Sequence, residues 1–190
     1  GGLFVPKKIP YYTLDDLKKF KDLSYEELTA KIILKFCGDE FNADEIKDLV
    51  NNSYKNFRTK DVVLIRKIGK INLLELFHGP TLAFKDISMQ VIGNIYEKIL
   101  KKNNLNINVV VATSGDTGAA AISAIKNKKN MKIFVLHPHK KISEVQRKFM
   151  TSVDSDNVYN IALEGNFDDC QKFVKSMFVD KNFNSLINMS

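Results

Sequence analysis

The sequence predicts an α/β protein: a helical stretch over residues 1–60, then a parallel sheet over residues 61–190 with helices on both faces. Three observations lead there. Before residue 60, apolar residues recur at helical spacing behind polar capping residues. After residue 60, β-branched apolar runs alternate with amphipathic stretches, the rhythm of βαβ units. Those runs are apolar at successive positions, as strands covered on both faces are.

The elements follow in order. Thr13 opens a pattern of Leu14, Leu17 and Phe20. Ser24 and Glu27 have the spacing of a capping box, and Leu28, Ile32 and Phe36 share the face that follows. Gly38 is placed to end that run with a left-handed cap. Asn42 with Glu45 opens a third helix that carries Ile46, Leu49 and Val50. Residues 62–68 and 71–77 read as strands, and 85–101 as a helix with Ile87, Val91, Ile95 and Ile99 in one row. Then come a strand at 107–112, an alanine-rich helix at 116–127, a strand at 131–136, a helix at 143–152 and a strand at 158–163. Asn166 caps a final helix whose Phe167, Cys170, Phe173, Val174 and Met177 are expected to face inward.

Charge and composition narrow the function classes. The 29 Lys and Arg outnumber the 22 Asp and Glu, a net charge of +7. A nucleic-acid groove would interleave basic and aromatic residues. Here the basic residues are scattered in short runs such as Lys126-Asn127-Lys128-Lys129, so an anionic small molecule or a Lys- and Asn-rich composition accounts better for the excess. No apolar run reaches the length of about 18 residues that a membrane-spanning helix needs. Cys37 and Cys170 each fall on an apolar helical face and read as buried free thiols, which fits a reducing, cytoplasmic compartment. No Cys/His spacing suggests a metal. The chain opens Gly-Gly-Leu-Phe-Val-Pro without an initiator Met, as a tag scar, processing or an excerpt from a longer chain would give, and organelle targeting stays open.

Ligands of parallel sheets bind beyond the carboxyl ends of the strands, so the segments that follow strands carry the candidates. The first is Phe77-His78-Gly79-Pro80-Thr81-Leu82-Ala83-Phe84-Lys85-Asp86. Gly79-Pro80 enforces a turn, and Lys85 lands at a helix start among apolar neighbours. The helix dipole and desolvation there both favour a neutral amine, which a Schiff-base lysine needs. A solvated lysine at a loop end is the plainer alternative. The second segment is Thr113-Ser114-Gly115-Asp116-Thr117-Gly118, between a strand and a helix. Its glycines let backbone approach a ligand, its N–H groups open a helix, and the hydroxyls of Thr113, Ser114 and Thr117 add donors, which together suit an anion. A helix cap with permissive glycines is the plainer alternative here. The glycine spacing is neither a dinucleotide fingerprint nor a Walker loop. Ala119, Ala120 and Ala121 suit tight packing of that helix on the sheet.

Residues 77–86 resemble the cofactor-lysine motif of the threonine synthase family, and 112–120, Ala-Thr-Ser-Gly-Asp-Thr-Gly-Ala-Ala, resemble its second signature. Gly-Gly-Leu-Phe-Val-Pro at residues 1–6, Lys141-Ile142-Ser143 and the stretch from Gly165 to Cys170 are similar as well. The resemblance implies a pyridoxal 5′-phosphate enzyme of fold type II, related to tryptophan synthase β, that turns O-phosphohomoserine and water into threonine and phosphate. It implies Lys85 as the cofactor Schiff-base lysine and proton carrier, with Gly115, Asp116, Thr117 and Gly118 joining Ser114 around the cofactor. Thr113, Ser114, Thr117 and Thr81 would meet the substrate. Related enzymes usually carry Asn where Asp116 stands, so Asp116 is expected to cap the helix or to meet a ring or amine group. His78 would line the pocket or shape the loop. The family's glycine-rich phosphate loop has no counterpart in residues 119–190, where Gly165 is the only glycine. The chain is therefore expected to be the N-terminal part of a two-domain enzyme, inactive alone, a monomer or homodimer without nucleic-acid or membrane partners. A phospho-lyase acting on another phosphorylated amino acid, or a non-catalytic relative that kept the fold, are the alternatives.

Overall fold

The computed structural model describes residues 5–37 and 40–189. The chain divides into two compact units, Gly1–Glu75 and Leu76–Ser190.

In the first unit, α1 (Leu14–Phe20), α2 (Tyr25–Leu34) and α3 (Ala43–Tyr54) each begin with a complete capping box, from Thr13 and Asp16, Ser24 and Glu27, and Asn42 and Glu45. Each box satisfies two N–H groups that a helix start leaves unpaired. Helix α3 supplies the buried apolar face, with Ile46, Leu49, Val50 and Tyr54. Helix α2 stops at Leu34, so Cys37 lies beyond it rather than on its face, and it is only half-buried. Gly38, expected to end this helix, lies outside the described residues. Leu14 and Leu17 keep 77% and 51% of their surface exposed, so the apolar pattern of α1 is not a covered face here.

Strands form at β1 (Leu64–Ile68) and β2 (Ile71–Glu75), but they pair antiparallel in a two-stranded sheet of their own, not within the parallel sheet. The connection decides this. Only Gly69 and Lys70 separate the strands, and Gly69 has φ +61°. A two-residue link makes a hairpin, whereas a parallel crossover needs a dozen residues or more.

The second unit holds the parallel sheet, in the order β3 (Ile107–Ala112), β4 (Met131–Pro138) and β5 (Val158–Leu163). On one face pack α4 (Asp86–Asn103), α5 (Asp116–Ile125) and α6 (Glu144–Thr151), with Leu100, Ile122, Ile133, Val135 and Met150 in the core. On the other face, α7 (Phe167–Val179) and α8 (Lys181–Ile187) bury Cys170 and Val174 against Val110 and Leu136. The period of two along each strand serves both faces, as the doubly apolar runs require. Phe173, expected inward, is 52% exposed and lines the mouth of an apolar cleft of about 470 Å³ with Ile161 and Phe183. After α8 the chain returns to the far edge of β3, where Asn108 pairs with Met189 in parallel. No helix among the described residues is long and apolar enough to cross a membrane.

Helices α4 and α5 run side by side in one direction. Gln90 Nε2 donates to Ser123 Oγ at 3.2 Å, Gly93 lies on the backbone of Ala124, and Lys128 beyond α5 meets Glu97 and Asn94 of α4. Burial works to raise the Glu97 carboxyl, and the Lys101 and Lys128 ammoniums outweigh it, holding it below its ordinary value. Folding thus favours the charged form, so the contribution is present above the unfolded carboxylate value and is lost as pH falls through the folded one. Glu97→Gln is expected to lower stability by about 2 kcal/mol at neutral pH, and urea unfolding should show the difference shrinking below about pH 4.

Candidate active site

The sheet places the site before any side chain does. The chain fills β3, β4 and β5 in succession and then crosses back to the other side of β3. The order therefore reverses at β3, and the crevice at the carboxyl end of such a strand is where ligands bind. The segment leaving that end is Thr113–Gly118. The parallel pairing of α4 with α5 brings the start of α4, where Lys85 stands, to the same end. The N-terminus of α6 joins them, because Gln146 in its first turn reaches Asp116. Three helix N-termini meet there, each with a partial positive charge.

Lys85 is the residue before α4, half-buried and in helical backbone, with no side-chain cap bond. Its carbonyl accepts the first helical bond from Met89 at 2.9 Å. Its Nζ stands 4.3 Å from the centroid of the Phe84 ring, a cation–π contact. Phe84 and Leu82 are themselves 58% and 42% exposed, so they do not enclose Lys85 in the apolar pocket expected from the sequence. His78 is half-buried with its ring 4.8 Å from that of Phe77. Thr81 donates from its N–H and its hydroxyl to the two carboxylate oxygens of Asp86, at 2.8 and 2.7 Å. Burial pushes the Asp86 carboxyl up, against the pull of the Thr81, Ala83 and Leu82 donors.

The second loop is braced from within. Thr113 is 1% exposed, and its Oγ1 accepts from the N–H groups of Gly115 at 2.9 Å and Gly118 at 2.8 Å. Its hydroxyl thus builds the loop. Ser114 and Asp116 are exposed and Thr117 half-buried, and their N–H groups have no partner among the described residues. Those N–H groups, with the Ser114 and Thr117 hydroxyls, make the donor set an anion needs. Gly115 has φ +141°, and a Cβ on it would fall 2.3 Å from the Gln146 side chain. Gly118 lets α5 sink onto the sheet, since a Cβ there would lie 2.6 Å from Thr113 and 2.7 Å from Met150. Asp116 does not cap α5. Its Oδ1 accepts from Gln146 Nε2 at 2.7 Å, and Gln146 Oε1 accepts from Ser143 Oγ at 2.9 Å.

Three residues in this region take no role from the sequence, although Asp86 closes the lysine segment. Gln146 tethers Asp116 across 30 positions. Asp86 is wholly buried behind the lysine. His137 sits buried near the carboxyl end of β4, its Nδ1 without a partner among the described residues. Gln146 shows itself only through its contact with Asp116, and the role of Asp86 only through its contacts with Thr81.

Comparison with known proteins finds threonine synthases over nearly the whole chain. A family model described as threonine synthase N terminus matches residues 1–54. Threonine synthase from Pseudomonas aeruginosa is 42% identical over 184 residues, which cover 96% of this chain and 39% of that protein. The chain is related to the threonine synthases. The threonine synthase of Eremothecium gossypii is 40% identical over 205 aligned positions, covering all of this chain and 40% of its own length. Among solved structures, the PLP-bound threonine synthase from Brucella melitensis matches with a TM-score of 0.91 at 39% identity, over 100% of this chain and 41% of that one. The chain thus spans about two fifths of the length of these threonine synthases, and both loops lie inside the matched span.

The Thr113 brace is directly testable. Thr113→Val keeps the shape and leaves two buried N–H groups unpaired, so urea unfolding should show a loss of about 2 kcal/mol or more, with Thr113→Ser restoring most of it.

Proposed function

We propose that this chain supplies the lysine side of a threonine synthase site, and that the complete enzyme turns O-phosphohomoserine and water into L-threonine and phosphate with pyridoxal phosphate. The observation that carries this reading is that the side-by-side helices α4 and α5 begin at the same end of the sheet, one behind Lys85 and the other in the Thr113–Gly118 loop, in a chain about 40% identical to threonine synthases.

The residues present suit that cofactor. An aldehyde needs an accessible amine, and Lys85 is half-buried rather than enclosed. Anionic groups need donors, and the unpaired N–H groups of Ser114, Asp116 and Thr117 lie among three helix N-termini. When bound, pyridoxal phosphate supplies an electron sink for charge developing on the substrate carbons. The chain's own residues do the rest. Lys85 holds the cofactor covalently and, once its amine is freed, carries protons to and from those carbons. Ser114 and Thr117 offer hydroxyls to the substrate carboxylate, with Thr81 at the mouth of the other loop. Thr113 serves by holding Ser114 and Gly115 in place. Gly115 and Gly118 serve by seating the loop against Gln146, Thr113 and Met150, and Asp116, steadied by Gln146, would meet a ring or amine group. The net charge of +7 favours arrival of an anionic substrate and cofactor.

Borohydride reduction after incubation with pyridoxal phosphate tests the reading. Peptide mapping should find the phosphopyridoxyl group on Lys85 and lose it in Lys85→Ala, whereas label spread evenly over surface lysines would defeat it. Residues 1–190 assayed alone are expected to form no threonine from O-phosphohomoserine, because residues 119–190 offer no glycine-rich loop for the cofactor phosphate.

A further inference from the structure

We propose that Asp86 is a positioning residue for Lys85: its buried carboxylate ties the 79–83 turn to the start of α4 and so sets where the lysine amine stands. The assignment rests on the reading of Lys85 as the cofactor lysine.

Four observations support it. Asp86 is 0% exposed, one residue past the lysine. Both its oxygens accept from Thr81 of the turn, through one N–H and one hydroxyl, and the Leu82 and Ala83 N–H groups pull on the same carboxylate. Gly79 lies directly against the same carboxylate, since a Cβ there would come within 2.5 Å of Asp86 Oδ2. Between these contacts Leu82 holds φ +63°, left-handed backbone that a branched side chain adopts only when its surroundings impose it. The Thr81 bonds before Leu82 and the bond from Asp86 N–H to Ala83 carbonyl at 3.0 Å after it supply that imposition.

A buried carboxylate is a poor choice for stability alone, because its desolvation is costly and an apolar filler would avoid it. What a carboxylate adds is direction. Several donors converging from one turn hold it in one arrangement, and the residues that the turn delivers are Phe84 and Lys85. An amine displaced by about 1 Å from its reacting partner loses on the order of 100-fold in rate.

The test uses the full-length protein and reads the rate of borohydride-trappable labelling of Lys85 by pyridoxal phosphate, with kcat and KM for O-phosphohomoserine. Asp86→Ala is expected to slow Lys85 labelling and kcat by about 100-fold while KM stays within about threefold. Asp86→Asn, which can accept from Thr81 N–H and donate to Thr81 Oγ1, should keep labelling within about tenfold of wild type. If Asp86→Ala does not fold, Thr81→Val decides: it removes one bond and leaves the carboxylate in place, and should slow labelling by about tenfold, with Thr81→Ser restoring it. Absence of Lys85 label in the wild type would overturn the cofactor reading and this assignment together. Wild-type label on Lys85, with folded Asp86→Ala or Thr81→Val labelled just as fast, would overturn this assignment alone.

Discussion

Helix α5 lies so close to the sheet that its first turns have no room for side chains. Gly118 rests on Thr113, Val135 and Met150, and Ala119, Ala120 and Ala121 behind it are all buried. Small residues bury little area each, so what they contribute is closeness rather than transfer energy. That closeness sets the rest of the unit. It brings the Gly118 N–H within reach of the Thr113 hydroxyl at the end of β3. It lets α4 slide in beside α5, with Gly93 on Ala124, and this turns the start of α4 toward the same end of the sheet. It also seats α6 through Met150, from which Gln146 reaches Asp116. A bulkier residue at 118 would press on Thr113, Val135 and Met150, and so drive α5 from the sheet and from α6.

Much of this was legible in the sequence where one short segment carried the whole signal. The strands at 107–112 and 158–163 stand where the β-branched runs place them, and the predicted capping box of Ser24 and Glu27 forms. The strands at 62–68 and 71–77 were legible as strands but not as a separate hairpin, because apolar alternation says nothing about the partner and only Gly69-Lys70 does. Phe173 follows the helical period of Cys170 and Val174 yet stays exposed, since periodicity names a face and not the width of what covers it. Helix α8, with seven residues and none buried, has no apolar stripe to betray it.

At the site, the motifs marked the right loops and could not rank the residues in them. Thr113 and Ser114 are adjacent hydroxyls in sequence, but strand alternation turns the first into the loop and leaves the second in solvent. Asp116 looked like a cap by residue type. Its actual partner is a glutamine 30 positions away, beyond any local rule. Lys85 was marked by its helix start and apolar neighbours, yet Phe84 and Leu82 turn part of their surface outward, so an apolar neighbour in sequence is not a wall in space.

The return of the chain to β3 has a consequence during synthesis. One edge of β3 is met by β4 soon after it emerges, but the other waits for Met189, and the N–H of Asn108 bonds to the carbonyl of Asn188 at 3.0 Å only then. At ribosomal rates that wait lasts roughly 4–15 s. Through it, the start of β3 at Asn108, ahead of the apolar run Val109-Val110-Val111, is an open strand edge of the kind that recruits other chains. The nascent protein is therefore open to mispairing along β3, the strand that leads into the Thr113–Gly118 loop.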